Sequence, residues 1–315
     1  MTKFFSSKIG SVVLSGILLG LSYPSYDPIP TGILAWFAFV PFLIAHREES
    51  SFKKYLTNAS LFIALAFLLD GYWLIYYSFK AYLIGVFSQF YFFVFPLIVF
   101  HFLNKQFGWK NALFLLPFVW TLTDWLAHIA PHGTQVYLLP YPQANNTWLV
   151  QFIDKTGMWG ITFWVVTMNV LILLFIETKS KKNLIFAIIW FVLPLFYSLY
   201  IAKLNPKSAI GTANRKSKVS IIQTNQDSYS TGSTASQKTF DEIVSLSDSA
   251  VKTSQPDLIV LPEAAIPVPL FQNKSLLDFT KNAIANWQTS VAIGFVEFPD
   301  STKKHIFRNN ALVFT

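Results

Sequence analysis

The amino-acid sequence predicts an α-helical membrane bundle of about seven spans followed by a smaller α/β domain, and three observations carry that reading. Of the 315 residues, 53% are hydrophobic and 13% are charged, about half the charge of ordinary soluble domains, and the mean hydropathy is +0.44. Apolar runs near or above the length that crosses a bilayer recur up to about residue 202. From Lys218 onward the pattern changes to short apolar runs alternating with amphipathic segments.

The spans are expected near 5–23, 31–46, 57–79, 81–103, 111–130, 157–176 and 183–202. Lys3 and Lys8 precede the first, which could pass for a signal peptide; no small-x-small cleavage site follows, so it reads as an uncleaved helix. The second, GILAWFAFVPFLIA, is short for a full crossing. Cations then alternate between the connections. Arg47, Lys53 and Lys54 follow the second span, Lys105 and Lys110 the fourth, and Lys179, Lys181 and Lys182 the sixth. The intervening connections 24–30, 79–81 and 131–147 hold only Lys80. The positive-inside rule then puts the N-terminus in the cytoplasm and the C-terminal domain outside. Lys203, Lys207, Arg215, Lys216 and Lys218 oppose that assignment, but they lead into a large domain, where charge weighs less. The net charge of +8 is accounted for by topology and headgroup contacts, and no nucleic-acid partner is expected.

The connection 131–147 is too polar and proline-rich to span, so it is expected at the outer interface or re-entering it, with Tyr137, Tyr141 and Trp148 at headgroup level. A functional loop and a plain linker are both open. Within the spans, Asp70, His101, Asp124 and His128 are costly in hydrocarbon and should face the bundle interior. Asp124 and His128 are four residues apart and share a helix face. Structural pairing is favoured over a proton or ion relay, because the four groups show no repeated pattern.

Residues 203–217 have the Pro, Gly, Asn and Ser content of a linker, dividing the bundle, 1–202, from the α/β domain, 218–315. KVSIIQTNQ, DLIVL, SVAIGFVEF and NNALVF read as strands, while TFDEIVSLSDSAVK and SLLDFTKNAIANW read as helices with Phe240, Ile243, Val244 and Val251, and Leu277, Ile284 and Trp287, turned inward. DSYSTGSTASQ reads as a loop. No cysteine is present, which removes disulfides, thiolate metal sites and a cysteine nucleophile within these residues. No metal or cofactor is expected, and His305 sits in a charged turn as a solvated side chain.

One stretch points to chemistry. In residues 256–267, PDLIVLPEAAIP, a β-rich run ends at Pro262 and delivers Glu263 at its carboxyl end. In open α/β sheets ligands bind there, because the loops converge on a crevice held by rigid strands. Taken alone, a solvated loop acid is the simpler reading.

A membrane bundle followed by an outward α/β domain carrying PDLIVLPEAAIP resembles bacterial apolipoprotein N-acyltransferase, whose outer domain looks like a nitrilase. VSIIQTNQ is similar to the family's first nitrilase strand, and NNALVF to a later one that places Asn309 at the family asparagine. In the bundle, DGYWLIYYS, the Asp124-Trp125 pair, Tyr141–Gln143 and QFIDKTGMWGITFWVVTMNVLI are similar to family features in the same order.

The resemblance implies an α-β-β-α sandwich of which 218–315 form part, in the bacterial inner membrane. It implies a phospholipid acyl donor, and as acceptor the N-terminal amine of a diacylglyceryl-cysteine in an apolipoprotein. It also implies a Glu, Lys and Cys triad, with Glu263 as the general base, a lysine at the oxyanion and a cysteine forming a thioester. Only Glu263 maps onto that triad. Lys303 and Lys304 precede NNALVF and do not match the lysine. The chain is therefore expected to be an N-terminal portion, inactive alone, with a complementing C-terminal fragment as a candidate partner. The alternatives are a non-catalytic lipid- or lipoprotein-binding membrane protein, and a transporter using Asp70 and Asp124.

Overall fold

A computed structural model describes residues 7–24, 31–130, 137–204, 216–223, 225, 233–263, 274–297 and 308–314. It divides into two compact units, Met1–Lys207 and Ser208–Thr315.

The first unit is a helical bundle. Helix α1 is Lys8–Ser22, opened by Ser7, whose hydroxyl accepts the Gly10 amide at 3.0 Å. A 3-10 turn, Thr31–Trp36, precedes α2, Val40–His46. Helix α3, Phe52–Asp70, runs through a 3-10 turn at Gly71–Trp73 into α4, Leu74–Tyr77. Then come α5, Phe79–Phe107; α6, Trp109–Ile129; α7, Ile153–Thr178; and α8, Lys181–Leu204.

Among the described residues, five helices are long and apolar enough to cross a membrane: Phe52–Tyr76, Tyr82–Phe107, Trp109–Ile129, Ile153–Thr178 and Lys181–Leu204. They correspond to the last five of the seven expected spans. The first two are the shorter apolar segments Lys8–Ser22 and Thr31–His46. At 1.5 Å per residue the described part of α1 is about 22 Å long, less than the hydrocarbon thickness.

The second segment is broken rather than merely short. Pro41 brings no amide hydrogen to the first turn of α2, and Phe39, the residue that opens the helix, makes no side-chain cap. The orphaned backbone groups are bonded by side chains from two other helices. Asn169 of α7 accepts the Phe39 amide at 2.9 Å and donates to the carbonyls of Ala35 at 2.8 Å and Val165 at 3.0 Å. Ser15 of α1 accepts the Phe42 amide at 2.9 Å. Asn169 and Ser15 are both 0% exposed.

Aromatic rings fill the space around this repair. Phe39 lies 4.4 Å from Trp120 and 5.8 Å from Phe62, and Trp36 lies 5.1 Å from Trp164 and from Phe191, measured between centroids. Helix α1 can approach α3 closely because Gly20 has no side chain; a Cβ there would lie 2.7 Å from the Ala66 carbonyl oxygen.

The second unit is a small α/β layer. Strands β1, Val219–Ile221; β2, Leu258–Val260; β3, Ser290–Glu297; and β4, Arg308–Phe314 form one sheet in the order β1-β2-β3-β4. The first three are parallel and β4 is antiparallel to β3. Helices α9, Ser233–Ser254, and α10, Lys274–Trp287, make the two crossovers. Successive right-handed crossovers stepping one way along a sheet put both helices on the same face, and here the Trp287 indole donates to Asp248 at 2.5 Å, joining α10 to α9. Beneath them Phe240, Ile243, Ile259, Ile284, Trp287 and Val291 form the core, with the inward faces the apolar spacing predicts.

The stretch DSYSTGSTASQ differs from its expected loop. Helix α9 begins at Ser233 and takes in its last residues; once the amphipathic segment downstream has nucleated a helix, extending it through residues free of Gly and Pro costs little. Residues 226–232 and His305 lie outside the described residues.

Replacing Asn169 by Leu is expected to cost about 1–3 kcal/mol of stability, the penalty for leaving buried backbone groups unpaired. Thermal unfolding in detergent checks this, with Asn111→Ala, whose amide caps only the exposed end of α5 at Phe107, expected to leave the midpoint nearly unchanged.

Candidate functional site

Strand β2 is interior to the sheet, flanked by β1 and β3 along its described length. Its hydrogen bonding continues past the strand proper: the Ile222 amide donates to the Val260 carbonyl at 3.0 Å, and the Leu261 amide to the Ala292 carbonyl at 2.9 Å. At the other end, Asp257 accepts the Lys218 amide at 2.8 Å and ties the start of β1 to β2. Glu263 therefore follows, after Pro262, a strand clamped on both sides, and it sits in a turn with its side chain exposed. That is the carboxyl end of a central parallel strand, where a side chain can be presented from a rigid support. The rest of the motif, residues 264–267, lies outside the described residues. Asn309 pairs with Val296 in the β3–β4 register, and its side chain is likewise outside them. Among the described residues, no cluster of His, Asp and Glu could hold a metal ion.

The bundle has its own organised polar region. The connection from Tyr137 to Val150 does not lie flat at an interface; it folds back into the helices. Tyr137 is 0% exposed, with its ring 4.9 Å from Phe67 and 6.3 Å from Tyr23, and its carbonyl accepts the Tyr23 hydroxyl at 3.2 Å. It is a core residue rather than the headgroup contact that its sequence context suggested, because its ring completes an aromatic stack. Tyr141 is half-buried against the same core, and Trp148 is 52% exposed. Burial pushes the phenols of Tyr137 and Tyr141 above their ordinary range, so both stay neutral.

Three further bonds hold this connection. Gln143, wholly buried, donates to the Gly32 carbonyl at 2.8 Å. Ser198 of α8 donates to the Leu149 carbonyl at 2.7 Å. Asp124 of α6 accepts the Thr162 hydroxyl of α7 at 2.7 Å and a hydrogen bond from the Leu139 backbone. One carboxylate thus joins two spans and the re-entrant segment.

The other intramembrane groups separate. His128 shares the face of Asp124 but packs edge-on to Trp159 at 5.3 Å, and its Nδ1 has no hydrogen-bond partner. His101 is buried at the opposite end of the bundle, 4.5 Å from the Tyr55 ring, and Asp70 is buried at the end of α3. The roles of Asn169, Ser15 and Thr162 in joining the helices do not follow from the spacing of the charged residues. Their signal is a neutral hydrogen-bonding side chain inside an otherwise apolar run, as in WVVTMNVLI.

Residues 15–171 match the family described as "Apolipoprotein N-acyltransferase N-terminal domain". The chain is similar to the apolipoprotein N-acyltransferase of Chlorobaculum tepidum, with 30% identity over 312 residues, covering 96% of this chain and 58% of that protein. It is 24% identical over 324 residues to the Geobacter metallireducens protein of the same name, covering 96% of this chain and 60% of that one. It is 28% identical over 271 residues to the one from Thermotoga maritima, covering 80% and 50%. The chain thus spans 50 to 60% of the length of these relatives.

Removing the Asp124 contact with Thr162→Val is expected to loosen the connection 137–150 while the spans stay folded. Hydrogen exchange over 137–150 should quicken at least several-fold, with exchange in α5 and α8 unchanged.

Proposed function

This chain belongs to the apolipoprotein N-acyltransferase family through its N-terminal domain, and from that premise we propose that it takes part in transferring an acyl chain from a phospholipid to the N-terminal amine of diacylglyceryl-cysteine in apolipoproteins. The observation that carries the reading is Glu263 at the carboxyl end of interior strand β2. In this proposal Glu263 is the general base. It takes the proton of a cysteine thiol as the sulfur attacks the phospholipid ester and passes that proton to the departing lysophospholipid hydroxyl, leaving a thioester. Glu263, ionised again, then accepts the proton of the lipoprotein amine that attacks that thioester and returns it to the departing cysteine sulfur. A lysine stabilises the oxyanion of each tetrahedral intermediate.

The chain contains no cysteine. The covalent step therefore needs a cysteine from residues outside 1–315 or from a complementing fragment, and in this reading the oxyanion lysine comes from the same source; alone the chain forms no cysteine thioester. The nitrilase-like sandwich is supported by the sheet face that α9 and α10 leave uncovered. Register aligns Ile221, Val260, Ala292 and Val313 across it, and Ile221 and Val313 are 76% and 58% exposed. An apolar row of this kind suits a second sheet. The alternation of lysines along the bundle supports an inner-membrane orientation with the N-terminus in the cytoplasm and the second unit outside. A non-catalytic protein that binds lipid or lipoprotein is the second reading, favoured by the missing nucleophile.

In membranes carrying the full-length gene product, Glu263→Gln is expected to lower acyl-enzyme formation from phospholipid about 100-fold or more, with membrane insertion unchanged. Wild-type acylation by that variant would remove Glu263 from the reaction, and failure of any full-length product to form an acyl-enzyme would favour the non-catalytic reading.

A further inference from the structure

Hydrogen bonds gather the ends of several helices at one pole of the bundle. Lys8 at the start of α1 pairs with Glu49 after α2 at 2.9 Å. Arg47 pairs with Glu177 near the end of α7 at 3.3 Å, and Glu177 also accepts the Trp109 indole of α6 at 3.1 Å. Asn104 of α5 donates to the Arg47 carbonyl at 3.1 Å. These contacts engage two of the three acids at this pole, leaving Glu48.

Around the locked ring stands a surplus of cations. Lys53, Lys54, Lys105, Lys110, Lys181 and Lys182 are exposed, and none forms an ion pair among the described residues. Lys179, also exposed, adds another. The arrangement works against the helices themselves. Helices α1, α3, α6 and α8 all begin at this pole with lysine in or beside the first turn and no acid within their own first turns; Glu49, which accepts the Ser51 amide at 3.1 Å, and Glu177 reach the ends of α3 and α6, but the lysines outnumber them and face the positive ends of the helix dipoles. External anions relieve both charges at once.

The surroundings identify the anion. The lysines stand at the edge of the apolar belt rather than on a polar plateau. Phe52, Phe102, Phe107, Ile176, Ile185 and Phe186, on the adjoining turns, are 38 to 55% exposed. The Lys179 and Lys182 ammonium groups lie 5.9 and 5.7 Å from the ring centroids of Phe175 and Phe186, with their stems along apolar surface and their charges at its rim. That is headgroup level in a bilayer. We propose that this lysine-rimmed pole is a binding surface for anionic phospholipid headgroups, which neutralise it and anchor the bundle in the adjoining leaflet. The proposal rests on the membrane character of the bundle and is independent of the acyl-transfer chemistry at Glu263.

The purified chain is placed in nanodiscs of equimolar phosphatidylglycerol and phosphatidylcholine, and the lipids that remain bound are counted by native mass spectrometry. Phosphatidylglycerol should be enriched on the wild-type chain and lost as salt is raised. The combined variant Lys179→Gln, Lys181→Gln, Lys182→Gln should lower that enrichment at least fivefold, the factor for one surface cation, with its thermal midpoint in phosphatidylcholine alone unchanged. Lys80→Gln with Lys203→Gln, at the opposite pole, should leave it intact. Equal retention of the two lipids by the wild-type chain overturns the proposal, as does enrichment that survives the triple substitution or falls equally in the opposite-pole control. Displacement of bound phosphatidylglycerol by soluble polyglutamate at low concentration would assign the surface to an acidic protein and overturn the lipid reading.

Discussion

In hydrocarbon a broken helix must be repaired by protein, because no water is present to bond the freed amides and carbonyls. The bundle depends on one such repair. The segment 31–46 is interrupted just ahead of Pro41, which opens its second helical part, and its loose backbone groups are taken up by Asn169 and Ser15. Those two side chains come from α7 and α1, so the break becomes a joint that fastens the second segment to its neighbours. Trp36 and Phe39, on either side of the turn, then project into the aromatic core. A polar amide in the middle of α7 is expensive to bury alone; here its bonds to the Phe39 amide and the Ala35 carbonyl replace ones the backbone lost, and the third goes to the Val165 carbonyl of its own helix.

The same logic explains Asp124. An acid inside a span invites a transport role, yet its carboxylate is occupied by the Thr162 hydroxyl and the Leu139 backbone. It works as a structural acceptor for a segment that enters the bundle from outside. Together with Gln143, Tyr23 and Ser198 it gives residues 137–150 a fixed course, although they contain little regular structure.

Much of this architecture was legible. The five long helices, the strand and helix order after residue 218 and the inward faces of Phe240, Ile243, Ile284 and Trp287 follow from periodicity, since each buries one face against one neighbour. The position of Glu263 could be read from a strand ending in Pro262. The burial of Tyr137 and the partner of Asp124 could not. They depend on contacts between residues 38 to 114 positions apart, and sequence spacing carries information only over a turn or two of helix. The i, i+4 relation of Asp124 and His128 illustrates the limit: they share a face, but each found a different neighbour across the interface.

Helix α7 opens with one turn, residues 153–156, and is interrupted at Gly157, whose backbone (φ 63°, ψ −176°) is neither helical nor open to most other residues. The turn therefore sets off in its own direction rather than along the axis of the span. It is held there by protein: Asp154 accepts the Tyr197 hydroxyl of α8 at 3.0 Å, and Thr156 packs against Gly160, where a side chain would collide with it. Gly157 is in effect an elbow, fixing the angle at which the connecting segment meets the bundle.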